Sequence, residues 1–199
     1  NDSTVIEITE PEGIEINYTQ SNYTDFGVSC YGASDGFIDV TITGGTGNYT
    51  YTWTADNGFT ASTDDISNLS AGNYNLSVVD ENDCPITLDV EITEPDPIEI
   101  VFTASNENGF GVLCNGDSNG SIDVTVTGGT GVYTYSWTAD NGFTASTDDI
   151  SNLSAGTYTL VVWDENYNDN QDCTDSVTVE ITEACLLYTS DAADDVLWV

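Results

Sequence analysis

Residues Trp53 to Gly72 (WTADNGFTASTDDISNLSAG) recur letter for letter as Trp137 to Gly156, and the longer stretches Val28 to Gly72 and Val112 to Gly156 align in a register of 84 residues. Segments this alike must fold alike, so the 199 residues read as two copies of one unit rather than as one larger domain. Downstream the copies drift. Cys84 corresponds to Cys173, a shift of 89, which places five extra residues in the second copy within the loop Tyr167 to Gln171. A loop that accepts an insertion is expected at the surface. The opening Val5 to Pro11 matches Asp89 to Pro95, so residues 1–11 read as the end of a preceding repeat, 12–95 as repeat 1 and 96–184 as repeat 2.

The stretch Cys185 to Val199 (CLLYTSDAADDVLWV) leaves the pattern where a proline should follow Glu183, as Pro11 and Pro95 follow Glu10 and Glu94. Its CLLYTSDAAD core reads like the in-frame translation of a transposase adapter used in sequencing libraries. Residues 185–199 are therefore expected to be non-native, and the fold is read from the residues before them.

Within a repeat the hydrophobic period is two. Phe37 to Thr43, Tyr49 to Thr54, Tyr74 to Val78 and Ile86 to Ile92 alternate apolar and polar side chains, the pattern of strands with one buried face, and Ile98 to Phe102 opens repeat 2 in the same way. No segment shows convincing helical spacing. Gly44-Gly45-Thr46-Gly47, Asp56-Asn57-Gly58 and Ser70-Ala71-Gly72 supply the turns, and Pro95-Asp96-Pro97 makes a stiff joint. Roughly seven short strands in about 85 residues predict an all-β chain of two tandem immunoglobulin-like sandwich repeats.

Composition narrows the function. The chain has 35 Asp and Glu and no Lys, Arg or His, a formal charge of −35. Intramolecular salt bridges between side chains are impossible. Nucleic acid and anionic membrane surfaces need basic side chains and are excluded as partners. Self-repulsion on this scale suits a salty or calcium-rich exterior. With 39% hydrophobic and 11% aromatic residues in regular alternation, the chain is expected to fold rather than remain disordered. No run of about 18 apolar residues predicts a membrane span, and no basic, hydrophobic leader is evident.

Each repeat carries two cysteines, Cys30 with Cys84 and Cys114 with Cys173. The economical expectation is one disulfide inside each repeat, closing a loop of about 55 residues and worth roughly 4 kcal/mol in the chain-entropy model. A zinc site is the alternative, but two thiols without histidine are too few. Disulfides imply an oxidising, extracellular setting.

The string Cys30-Tyr31-Gly32-Ala33-Ser34-Asp35-Gly36, then Ile38 to Gly47, Tyr49-Thr50-Tyr51-Thr52-Trp53, Leu69 to Tyr74 and Val79 to Cys84, repeated from Cys114 to Cys173, resembles the SprB repeat of Bacteroidota gliding and surface adhesins. PKD-like sandwiches share the GGTG and YTYxW part. The resemblance implies a long cell-surface array, exported by the type IX pathway and used in adhesion and gliding motility.

Catalysis finds little support. Without His, Lys or Arg there is no histidine base, Schiff-base lysine or arginine clamp, and paired acids such as Asp64-Asp65 and Asp148-Asp149 fall on a repeated turn rather than in a cleft between elements. The chain is read as not an enzyme. Calcium is the sharper expectation: Asp80, Glu81, Asn82 and Asp83 crowd one turn, and Asp164, Glu165, Asp169 and Asp172 crowd the enlarged turn of repeat 2, as hard cations require. The plain alternative is a solvated acidic turn. Tyr49, Tyr51 and Trp53, with Tyr133, Tyr135 and Trp137, could stack on a sugar if exposed, but beside the polar Thr50, Thr52 and Thr54 they are expected to be the core face. The overall expectation is an extracellular adhesin repeat whose partners are neighbouring repeats and, as a candidate, surface polysaccharide. The rival is a passive spacer or glycan-binding module of a secreted carbohydrate-active enzyme.

Overall fold

The computed structural model describes residues 4–165 and 173–184. Repeat 1 contributes β1 (Glu15–Gln20), β2 (Gly36–Thr43), β3 (Thr50–Ala55), β4 (Thr60–Ala61), β5 (Ile66–Leu69), β6 (Gly72–Val79) and β7 (Pro85–Ile92). They form a three-stranded sheet, β1-β2-β5, and a four-stranded sheet, β4-β3-β6-β7. Repeat 2 repeats the plan with β8 (Glu99–Ala104), β9 (Gly120–Thr127), β10 (Tyr133–Ala139), β11 (Thr144–Ala145), β12 (Ile150–Leu153), β13 (Gly156–Asp164) and β14 (Thr174–Ile181), as sheets β12-β9-β8 and β11-β10-β13-β14. The chain is all-β, two tandem immunoglobulin-like sandwiches. Among the described residues no helix is long and apolar enough to cross a membrane.

The alternation does what its period requires. On β2, Ile38 and Val40 point inward between exposed Phe37, Asp39 and Thr41; on β6, Tyr74, Leu76 and Val78 do the same. Trp53 at the centre of β3 is fully buried, and its indole N–H donates to the carbonyls of Thr63 (3.1 Å) and Asp64 (3.4 Å), so the largest core side chain leaves no unpaired donor. Trp137 does likewise with Thr147 and Asp148. Tyr74, buried where β6 begins, sends its hydroxyl back to the Ser70 carbonyl at 2.8 Å, and Tyr158 to Ser154 at 2.9 Å. This is the tyrosine corner of immunoglobulin-like folds. It pins the turn between β5 and β6, and the LSAG-x-Tyr string encodes it.

Contact clustering divides the chain into two compact units whose border differs from the sequence repeats. Unit 1 is Asn1–Ile98 together with Gly128–Val132 and Asp164–Cys173; unit 2 is Glu99–Thr127, Tyr133–Trp163 and Thr174–Val199. The opening segment also departs from the simple reading. Val5, Ile6 and Ile8 belong to no strand and are 82–92% exposed, although Ile6 and Ile8 occupy the places that Val90 and Ile92 fill, buried, on β7. The physical reason is pairing: β7 lies along β6, and no strand lies along residues 5–11.

Replacing Trp53 or Trp137 with alanine should cost about 3–5 kcal/mol in the repeat concerned. Tyr74→Phe, which removes one hydrogen bond, should cost only about 1 kcal/mol. Urea unfolding followed by circular dichroism would show the tryptophan variants with one early transition and one near the wild-type midpoint.

Candidate functional site

The cysteines sit at opposite ends of each sandwich. The Cys30 loop is held where β7 finishes: the Gly27 and Val28 amides donate to the Thr93 carbonyl, and the Gly32 amide to the Glu94 carboxylate at 2.7 Å. Cys84 lies at the other end of the same strand, in the turn that joins Val79 to Pro85. Seven residue steps separate Pro85 from Ile92 along β7, about 24 Å at the usual strand rise. A disulfide needs Cα atoms within about 7 Å. The expected Cys30–Cys84 bond is therefore ruled out by the length of the strand between them. Cys114 and Cys173 are separated by β14 in the same way, Cys114 near Thr182 and Cys173 next to Thr174.

The structure instead joins Cys30 to Cys173, with a Cα–Cα distance of 5.4 Å and a sequence separation of 143. Cys84 and Cys114 are exposed free thiols. This bond lies inside unit 1, where Cys173 packs into the hydrophobic cluster of repeat 1 with Val28, Cys30 and Ala33. The Cys173 sulfur also lies 3.9 Å from the Ser29 carbonyl, and the Thr24 hydroxyl donates to the Glu165 carboxylate at 3.2 Å.

Cys84 is presented by a carboxylate clasp. One oxygen of Asp80 accepts the amides of Asn82 and Cys84, both at 2.9 Å, and the other accepts the amide and the hydroxyl of Thr46, both at 3.0 Å. Asn82 donates its side-chain N–H to the same Thr46 hydroxyl, and the Gly45 amide donates to the Glu12 carbonyl. The Gly-Gly pair is required here. Gly44 has φ +75° and Gly45 +67°, and a Cβ on Gly44 would strike the Gly13 carbonyl. The clasp recurs in repeat 2, where Thr130 donates its amide (2.6 Å) and its hydroxyl to Asp164, and the Asp164 amide donates to the Cys173 carbonyl at 3.0 Å.

The residues expected to cradle calcium are thus partly committed. The Asp80 carboxylate, nearly buried, takes four donors, two from its own turn and two from Thr46. Among the described residues no three acidic or thiol side chains converge as a metal site would. Glu81, Asp83 and Glu165 flank the turns, while Asp169 and Asp172 lie outside the described residues. The paired acids behave similarly: Asp65 accepts the Val40 amide at 2.8 Å and Asp149 the Val124 amide at 2.7 Å, each tying its turn to a strand. Tyr49 and Tyr51 are half-buried against the core and meet edge to face at 6.5 Å, with the Tyr49 hydroxyl on the Gly44 carbonyl. They offer no flat, open platform.

The Cys84 amide foremost, then the Thr46 amide and hydroxyl, hold the Asp80 carboxyl below the ordinary carboxylate range against the opposing pull of burial; the Asn73 side-chain and backbone amides do the same for Asp56. A depressed folded-state value contributes stability that is present above the unfolded value, near 3.9, and is lost as pH falls through the folded one. The stabilising contribution of Asp80 and Asp56 should therefore fade below about pH 4. Asp80→Asn should melt lower at pH 7 and fall less on acidification, which a calorimetric pH series would measure. Because the Cys30–Cys173 bond pairs a cysteine of repeat 1 with one of repeat 2 and closes no loop within either repeat, reduction with dithiothreitol should leave the buried-tryptophan fluorescence of Trp53 and Trp137 unchanged at 25 °C; a shift to exposed-tryptophan emission would count against this connectivity.

No curated protein matches the chain. Among solved structures it is similar to the C-terminal 282-residue fragment of intimin, crystallised with the intimin-binding domain of the translocated intimin receptor, at 16% identity and a TM-score of 0.38, over 88% of this chain and 64% of that one. The chain thus spans under two thirds of that fragment, and a likeness this distant carries no argument about function. The family model of the SprB repeat matches twice, over residues 27–58 and 112–142, each match running from the loop ahead of the first cysteine of a repeat, through the GGTG turn and the buried tryptophan, to the Asp-Asn-Gly hairpin. On these two segments the chain is similar to the SprB repeat.

Proposed function

We propose that this chain is an extracellular repeat module of a bacterial cell-surface adhesin, extending the protein away from the cell and contributing to adhesion or gliding motility. The observation that carries the reading is the SprB repeat, present twice in tandem. The physical chemistry agrees with a surface location. A disulfide and a charge of −35 suit an oxidising, salty exterior, and the carboxylates are spent on holding turns rather than on a reactive cleft. The module works by being a stable, repeatable length of sandwich. Direct recognition of a glycan has less support, because the aromatic stripe is turned into the core.

Antibodies against the chain should label intact, unpermeabilised cells of the source bacterium, and their Fab fragments should reduce attachment or gliding on glass several-fold. Labelling that requires permeabilisation, or unchanged attachment and motility, would overturn the reading. Retention of the purified chain on immobilised polysaccharide would move the assignment to a glycan-binding module, since a spacer or extension module should wash through.

A further inference from the structure

We infer that the two exposed thiols, Cys84 and Cys114, are the open ends of a disulfide ladder in which each repeat is bonded to the next through its first cysteine and to the previous one through its second. Within this chain one rung exists: the first cysteine of repeat 1, Cys30, is bonded to the second cysteine of repeat 2, Cys173. The repeat register makes Cys114 the equivalent of Cys30 and Cys84 the equivalent of Cys173. Each free thiol is therefore half of a rung already drawn once in the same molecule.

Burial supports the assignment independently of the thiols. Where the rung is made, Cys30 is 8% exposed, Cys173 3% and Ser29 0%. At the matching positions without a neighbour, Cys84 and Cys114 are exposed, and Leu113, the counterpart of Ser29, is 55% exposed. An apolar side chain beside a surface thiol is what the first-cysteine loop presents when nothing sits on it. At the other end the Asp80 amide donates to the Cys84 carbonyl at 3.2 Å as the Asp164 amide donates to the Cys173 carbonyl at 3.0 Å, so both second cysteines are tied to the end of the strand before them.

Electrostatics supplies the reason for a covalent joint. No repeat can offer a cation to its neighbour, and like-charged modules repel over a Debye length of about 8 Å at physiological salt. A disulfide holds the joint at any ionic strength. The chemistry is ordinary exchange with a small-molecule disulfide such as oxidised glutathione. The Cys114 thiolate attacks one glutathione sulfur and releases a glutathione thiolate; the Cys84 thiolate of the neighbour then attacks the Cys114 sulfur of the mixed disulfide and releases the second. Two protein thiols are oxidised, and one glutathione disulfide is reduced to two glutathione thiols. The inference concerns sulfur connectivity and does not depend on what the array adheres to.

The test uses the full chain in a Cys185→Ser background. Cys84→Ser leaves only the Cys114 end open, and Cys114→Ser only the Cys84 end. The two variants are mixed with oxidised glutathione at 0.15 M and 0.5 M NaCl and resolved by non-reducing electrophoresis, buffer values chosen to bracket the screening range near about 8 Å and below. Bonds are mapped after Glu-C digestion, because the chain offers trypsin no Lys or Arg. The expected result is a Cys114–Cys84 heterodimer in about tenfold excess over either homodimer, a preference equivalent to about 1.4 kcal/mol, with Cys30–Cys173 intact within each chain. Homodimers and heterodimers in the proportion of random collision, or glutathionylated monomers alone, would overturn the ladder. So would mapped Cys30–Cys84 or Cys114–Cys173 peptides.

Discussion

A chain without a single cationic side chain must find other partners for its carboxylates, and the partner it uses is its own backbone. Asp80 gathers the turn after β6 and the Gly-Gly loop after β2 onto two oxygens; Asp56 holds Asn73, Asp65 holds Val40, and Glu94 holds Gly32. Each is a charge-assisted hydrogen bond from a backbone amide to a carboxylate. Turns and strands are thereby fixed to one another at both ends of the sandwich. Acidity, which would ordinarily loosen a fold, becomes the material that closes it.

That choice has consequences for the core and for the joints. The two sheets of each repeat are held by apolar packing around one buried tryptophan and one tyrosine corner, with no disulfide through the middle. Cysteines are left for the ends, where the carboxylate-held loops present them. Packing and backbone hydrogen bonds hold the sandwich core, and a covalent bond holds the Cys30 loop to Cys173. Such a division suits a repeat that must be both independently folded and linked in series, since stability in a repeat array is a sum of unit and interface terms.

The same division shows how an acidic turn that resembles a cation site in sequence can spend a carboxylate on its own backbone. Clustered Asp, Glu and Asn residues advertise oxygen ligands. In the folded turn, however, Asp80 faces inward to amides, and its neighbours Glu81 and Asp83 do not converge with it on a common point among the described residues. Whether a carboxylate serves an ion or an amide depends on where the backbone turns, and Thr46, 34 residues away from Asp80, supplies half of the donors. Local spelling cannot contain that.

By itself, the sequence determined the all-β class, the two copies and most of the strands, because alternation with period two and an 84-residue register act locally and need no tertiary information. The expected strands Phe37 to Thr43 and Ile86 to Ile92 match β2 and β7 to within a residue, and the inward turn of Trp53 follows from the threonines beside it. Short β4 and β5 were not legible as strands: two and four residues carry too little pattern, and they exist because β3 and β2 offer edges to pair with. The cysteine pairing was decided only in three dimensions. Sequence shows which cysteines recur, but an eight-residue strand holds Cys30 and Cys84 at opposite ends of one sandwich, and that length, about 24 Å from end to end, turns an apparent staple within a repeat into a bond from Cys30 to Cys173.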